Sequence, residues 1–205
     1  MSTTVPSLAD QDQAKYLSTN PVVRRLIDRW LGELSGLVET SVAPGAALLD
    51  AGAGAGFSLA RFAAGRPVLA VDLAPEKAVQ IPGRVPGAQP VVADVTRLPV
   101  PDGAVGWATS IEVLEHLPHP EALVAELARA VSTGVIVSVP WEPFFKLGNL
   151  ARGKNVSRFG NDPEHIGAFG PGSLTRLLGR SFGHVEVHRC LPWLLAVATQ
   201  PLPRR

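Results

Sequence analysis

Residues 48–58 read LLDAGAGAGFS: an apolar run, an aspartate, and three alternating glycines, Gly52, Gly54 and Gly56. An apolar strand that runs into glycines can bring its backbone close to a ligand and leave the amides of the following helix free. On its own this is a glycine-rich strand-to-helix turn, and a chain rich in Gly and Ala also makes such turns for tight folding alone. Position narrows the choice. Asp72 follows Gly52 by twenty residues and closes the next apolar run, VLAVDL. An acidic residue at that distance can accept hydrogen bonds from both ribose hydroxyls of a nucleoside cofactor. Asp94 closes a third run, VVADV. Consecutive strand ends thus supply the glycine turn, Asp72 and Asp94, at the edge where open α/β sheets bind ligands.

Working outward, apolar runs at 46–50, 67–73, 89–93, 104–111 and 134–139 alternate with helical patterns at 59–64 and 121–131. Apolar, non-alternating strands separated by helices indicate a parallel sheet covered on both faces. The expected fold is α/β, Rossmann-like and doubly wound: a seven-stranded, mainly parallel sheet with an antiparallel C-terminal strand and helices on both faces. Ahead of it, Val22, Val23, Leu26, Ile27, Trp30, Leu31, Leu34 and Leu37 recur at helical spacing, and Asn20 and Pro21 supply an N-cap and a first-turn proline. A helix over 21–39 is predicted, packed on the sheet. After Pro140 the alternation pauses for about thirty residues, a length that signals a functional insertion more often than a turn. A helix at 172–181 and strands at 184–189 and 193–198 close the chain.

Composition bounds the functional classes. The 205 residues are 46% hydrophobic and 18% charged, with 19 basic and 18 acidic residues giving a net charge of +1. That balance argues against nucleic acid as a partner. A single cysteine, Cys190, excludes a disulfide framework or a multi-cysteine metal site and fits a cytoplasmic setting. The longest apolar stretch near the end, 191–198, is far short of the ~20 residues of a membrane span, and residues 1–16 lack the pattern of a signal peptide. The expected partners are a small-molecule acceptor, no nucleic acid and no membrane span, with a monomer or homodimer as the assembly.

The stretch 48–130 resembles the class I S-adenosylmethionine-dependent methyltransferases, in the ubiquinone/menaquinone-type subgroup. LLDAGAGAGFS is similar to their first motif and VLAVDLAPE to their second. ADVTRLPVPDGAVGWATSIEVLEHLPHP is similar to their acidic loop and fourth-strand block. The resemblance implies S-adenosylmethionine as cofactor and S-adenosylhomocysteine as product. It implies that Gly52, Gly54 and Gly56 pass beneath the methionine portion, that Asp50 faces its amino group and that Asp72 holds the ribose hydroxyls. Leu73 would flank the adenine, Asp94 and the Val95 backbone would meet its edge, and Ile111 and Glu112 would line the methionine side. His116, in EHL, would help shape the pocket. Ala53 and Ala55 stand where the family usually carries other residues, a departure that the glycine backbones tolerate.

Methyl transfer from a sulfonium needs alignment more than acid or base, so its catalytic residues are weakly encoded. The acceptor side is expected in the insertion, with Trp141, Glu142, Phe144, Phe145 and Asn161 as substrate contacts. His165, in NDPEHIG, is a candidate general base alongside His116. Asp162, Glu164 and His165 are too tightly clustered on one loop for a metal, and none is expected. The organisation expected is a single methyltransferase domain over 1–205: an N-terminal helical lid at 1–40, a cofactor core at 45–139, an acceptor insertion at 140–172 and a closing unit at 173–205. The function expected is methyl transfer to O, N or C of a small, partly apolar metabolite. A cofactor-binding protein without transfer activity and a nucleotide-dependent oxidoreductase remain as alternatives.

Overall fold

The computed structural model describes residues 15–141, 144 and 167–203. Helix α1 spans Pro21–Ser41; the Asn20 side chain accepts from the amides of Val22 and Val23 at 2.9 and 3.4 Å, and Pro21 fills the first turn, where no amide is needed. The helix buries Ile27, Trp30, Leu31, Leu34 and Val38 on one side, the stripe its periodicity predicts.

Strands β1 (Leu48–Ala51), β2 (Val68–Asp72), β3 (Ala88–Val92), β4 (Val105–Ile111) and β5 (Val131–Pro140) run parallel. Strand β7 (Trp193–Pro201) runs antiparallel between β5 and β6 (Phe182–Cys190), so the order across the sheet is β3-β2-β1-β4-β5-β7-β6. This is the expected doubly wound sheet with one antiparallel strand. Helices α2 (Leu59–Phe62), α3 (Pro75–Ala78), α4 (Ile81–Arg84), α5 (Pro120–Ala130) and α6 (Pro171–Leu178) complete the described elements. The pair α3 and α4 was not expected from the sequence: two prolines and a glycine in a ten-residue span break any helical periodicity, yet each proline sits in a first turn.

Successive strand residues face opposite sides, and both sides are apolar. Leu49, Val135, Val137, Leu194 and Ala196 pack with Leu123, Leu127, Leu174 and Leu178 on the face of α5 and α6. Leu48, Val68, Ile136 and Leu195 pack with Trp30, Leu34 and Val38 on the α1 face. Helix α5 passes into β5 without a loop: Val131 is its C-cap residue, donating to the Leu127 carbonyl, and also the first residue of the strand.

One polar cluster fastens the segment between β3 and β4 to α5. The Arg129 guanidinium donates to Glu126 and Asp102 at 2.8 Å each, and to the carbonyls of Val100 and Leu98 at 2.7 and 3.1 Å. Glu126 also accepts from the Leu98 amide at 3.0 Å. Arg129→Ala therefore strips several charge-assisted bonds at once and should lower unfolding stability by about 2–3 kcal/mol in urea titration. A change within error would show that solvent replaces them.

Candidate functional site

The chain leaves β1 for β2 and β3 on one side, then returns to the other side of β1 to form β4. That reversal opens a crevice at the carboxyl ends of β1 and β4. The glycine turn fills its floor. Gly52 and Ala53 donate to the Val71 carbonyl at 2.8 and 3.0 Å, folding the turn back over β2. Gly52 has φ +86°, and a Cβ there would fall 2.3 Å from Val113 Cγ2, on the loop after β4. Gly54 has φ +54° and open space around it. The two glycines are thus required for different reasons: close approach at Gly52, backbone angle alone at Gly54.

Asp72 holds this turn in shape. Its Oδ2 accepts from the Gly54 amide at 2.7 Å and its Oδ1 from the Ala74 amide at 2.9 Å. A carboxylate has about four acceptor positions, so both oxygens retain capacity for further donors. Leu73 beside it is 70% exposed, an apolar surface at the rim. Asp94 caps the 3-10 turn Val95–Arg97, accepting from the Thr96 amide and hydroxyl at 2.8 and 2.7 Å. Those two bonds hold its carboxyl below the usual range. Val95 is buried beneath it.

Asp50 is different in kind. It lies buried in β1 with Oδ1 accepting from the Thr109 hydroxyl of β4 at 2.6 Å. Burial pushes its pKa up to about 7, against the Thr109 bond and with a smaller push from the Asp72 charge. The folded protein therefore keeps a proton that the unfolded chain loses near pH 4, and Asp50 costs stability progressively as pH rises from about 4 to about 7.

Ile111 is buried at the end of β4 and Glu112 follows it with φ +56°, an angle few glutamates adopt. The Glu112 amide donates to the Ser138 carbonyl at 2.8 Å. Its Oε1 accepts from Trp193 Nε1 at 2.7 Å, and Oε2 pairs with Lys15. His116 ends the 3-10 turn Leu114–His116 and is partly buried. Across the sheet, Trp141 forms a bridge with Phe169, meets the Phe144 ring edge-on at 4.6 Å and lies 5.6 Å from the Arg189 guanidinium. Glu142, Phe145, Asn161 and His165 lie outside the described residues. Cys190 is buried, and burial together with the Glu33 carboxylate pushes its thiol up to about 11, away from nucleophilic use.

Sequence reasoning missed an aromatic row above the turn. Phe57, directly after Gly56, stacks on Tyr16 at 5.1 Å; Tyr16 stacks on Trp30 at 6.3 Å, and Trp30 on Trp193 at 4.7 Å. Trp30 Nε1 donates to Ser138 Oγ at 2.9 Å, and the Arg84 guanidinium lies 4.1 Å from the Phe57 ring while donating to the Ala55 carbonyl at 3.2 Å. These four rings come from four separate places in the chain. Trp30 carried a signal only as part of an amphipathic stripe, and Tyr16 carried none.

With the geometry in place, comparison adds what this domain is similar to. Residues 49–139 match the family model described as a methyltransferase domain. That match runs from β1 to β5, just under half of the chain, and makes those residues similar to a methyltransferase domain. The chain is 35% identical over 104 residues to a ubiquinone biosynthesis O-methyltransferase of Xanthomonas oryzae pv. oryzae strain PXO99A, a match covering 44% of this chain and 40% of the relative. It is 36% identical over 97 residues to an uncharacterized methyltransferase of Mycobacterium sp. strain JLS, covering 46% and 38%. The chain thus spans about 40% of the length of these curated relatives. In fold it is similar to magnesium protoporphyrin IX methyltransferase of Synechocystis PCC 6803, solved with bound SAH, at TM-score 0.69 and 18% identity over 93% of each chain. A SAM-dependent methyltransferase from Aquifex aeolicus aligns at TM-score 0.62 and 16% identity, over 96% of this chain and 99% of that one.

Two substitutions separate the roles in the turn. Gly52→Ala, which combines a positive φ with a collision, should cost roughly 2–3 kcal/mol or more, whereas Gly54→Ala should cost about 1 kcal/mol. Equal losses in denaturant titration would contradict the collision with Val113. For Asp50, the stability difference between Asp50→Asn and the unsubstituted protein should move in the variant's favour from pH 4 to pH 7 and level off above. A difference that stays flat across that interval would place the Asp50 titration elsewhere.

Proposed function

We propose that the protein transfers a methyl group from S-adenosylmethionine to an O, N or C atom of a small, partly apolar metabolite. The observation that carries this reading is the shared grip of Asp72 on Gly54 and Ala74, which couples the shape of the glycine turn to a carboxylate with acceptor positions left over. The residues fit the cofactor. Gly52, Gly54 and Gly56 give a floor free of side chains, and Asp50 offers a buried carboxyl to an amino group. Asp72 is assigned the ribose hydroxyls, exposed Leu73 an adenine face, and Asp94 and Val95 its edge. Ile111 and Glu112 are assigned the methionine side.

The bound cofactor supplies an activated methyl group on a sulfonium. The protein's part is to align the acceptor, strip it of water and, where the acceptor must lose a proton, accept it. His116 and His165 are the candidate bases, and Trp141, Glu142, Phe144, Phe145 and Asn161 the candidate acceptor contacts. In this reading residues 1–40 are a lid, 45–139 the cofactor core, 140–172 the acceptor insertion and 173–205 the closing unit of a single domain. No helix among the described residues is long and apolar enough to cross a membrane. We place the protein in the cytoplasm on the strength of its lone cysteine, and take its assembly to be a monomer or homodimer.

Calorimetry with S-adenosylhomocysteine tests the cofactor reading. Asp72→Ala should weaken binding by roughly 1.5–3 kcal/mol, the scale of a hydrogen bond to a charged group. Unchanged affinity would refute the ribose assignment. Transfer of a labelled methyl group into an extract of small metabolites tests the activity; tight binding with no labelled product would make the protein a cofactor-binding regulator.

A further inference from the structure

The aromatic row and Glu112 form a compartment with a definite charge preference. Glu112 is a mostly buried carboxylate, its side chain 8% exposed, fixed by the Trp193 indole N–H on one oxygen. Its other oxygen meets the ammonium of Lys15, which also lies 5.2 Å from the Tyr16 ring centre and 5.8 Å from that of Trp30. One cation thus sits against a carboxylate and two aromatic faces, each of which attracts positive charge. The chain itself supplies that cation, from a side chain that is 28% exposed and therefore lies between Glu112 and solvent. A desolvated carboxylate left without a cation is costly, so departure of Lys15 demands a replacement of the same charge.

We propose that this compartment is the binding site for an ammonium group on the acceptor, and that Lys15 occupies it until the acceptor arrives. The substrate class is then an amine, protonated or quaternary, carried on a partly apolar body. This rests on the methyltransferase reading above and narrows its acceptor. Position supports the acceptor as the source of the charge. Trp193, whose indole fixes Glu112, pairs with Pro140 at the end of β5, directly before Trp141, the candidate acceptor contact. The positive φ at Glu112 turns the backbone sharply where β4 ends, at the loop whose Val113 meets the glycine turn. The ammonium would therefore anchor the acceptor beside the floor of the crevice.

The test uses choline as a cationic probe and 3,3-dimethylbutan-1-ol as its neutral isostere, with tryptophan fluorescence reading the compartment. Lys15→Ala vacates the site, and should bind choline at least about tenfold more tightly than the unsubstituted protein and about tenfold more tightly than the neutral alcohol. Lys15→Met keeps the aliphatic stem against Tyr16 and should behave alike, which guards against loosening of the ring stack. Adding Glu112→Gln should abolish the preference for choline, and saturating S-adenosylhomocysteine should leave the choline affinity of Lys15→Ala unchanged. Equal binding of the two probes in both Lys15 variants overturns the proposal. So does competition between choline and S-adenosylhomocysteine in Lys15→Ala, which would assign the carboxylate to the cofactor's amino group. Loss of S-adenosylhomocysteine binding in every protein, with the choline preference intact, would sink the methyltransferase reading and leave the ammonium site standing.

Discussion

A sheet buried on both faces leaves polar side chains almost nowhere to go except its carboxyl edge. In strands β1, β4 and β5 the buried polar residues Asp50, Thr109, Ser110 and Ser138 all fall in the last few positions. Each is satisfied there by a neighbour across the crevice: Thr109 by Asp50, Ser110 by the Ala51 carbonyl, Ser138 by the Trp30 indole. The same edge collects the glycine turn, because a chain that must reverse above a two-faced sheet does so most cheaply without side chains. The chemistry of the protein is a consequence of that restriction. Polar groups that would be expensive inside the core are concentrated, desolvated and pre-positioned at one rim.

Within the rim, the acidic groups meet different surroundings. Asp94 is exposed and held below the usual carboxylate range by its bonds from Thr96, Asp72 is half-buried and tied to backbone amides, and Asp50 is buried and pushed up to about 7. Three aspartates at equivalent strand ends thus differ because each meets a different mixture of water, amides and neighbouring charge. Glu112 extends the series towards β7, where its charge is met by a lysine and an indole rather than by backbone.

The sheet could be read from the sequence because its determinants are local: apolar runs of strand length, aspartates at their ends, and an asparagine–proline start to α1. The glycine turn and Asp72 were legible for the same reason, since the twenty-residue spacing between Gly52 and Asp72 reflects one strand–helix–strand unit. What stayed hidden depends on distant parts of the chain meeting. Tyr16, Trp30, Phe57 and Trp193 share no spacing or motif, and only the closing of β7 between β5 and β6 brings Trp193 onto Trp30. Lys15 belongs to a stretch with no periodicity at all, so its partner Glu112, 97 residues away, could not be inferred. The short helices α3 and α4 were obscured by their prolines, which read as breaks although they begin the turns.

The seamless passage from α5 into β5 has an evolutionary consequence. Val131 serves both elements, so no slack separates the helix from the strand. Because strand side chains alternate, one inserted residue at this junction would send Ile136 to the wrong face and turn Ser138 away from Trp30, unless the helix unwound to absorb it. The exposed turn at 86–87, closed only by the local bond from the Ala88 amide to the Val85 carbonyl, carries no such linkage. Length variation among descendants of this chain should therefore accumulate at 86–87 and be purged at 130–131, a pattern set by mechanical coupling rather than by nearness to the reacting groups.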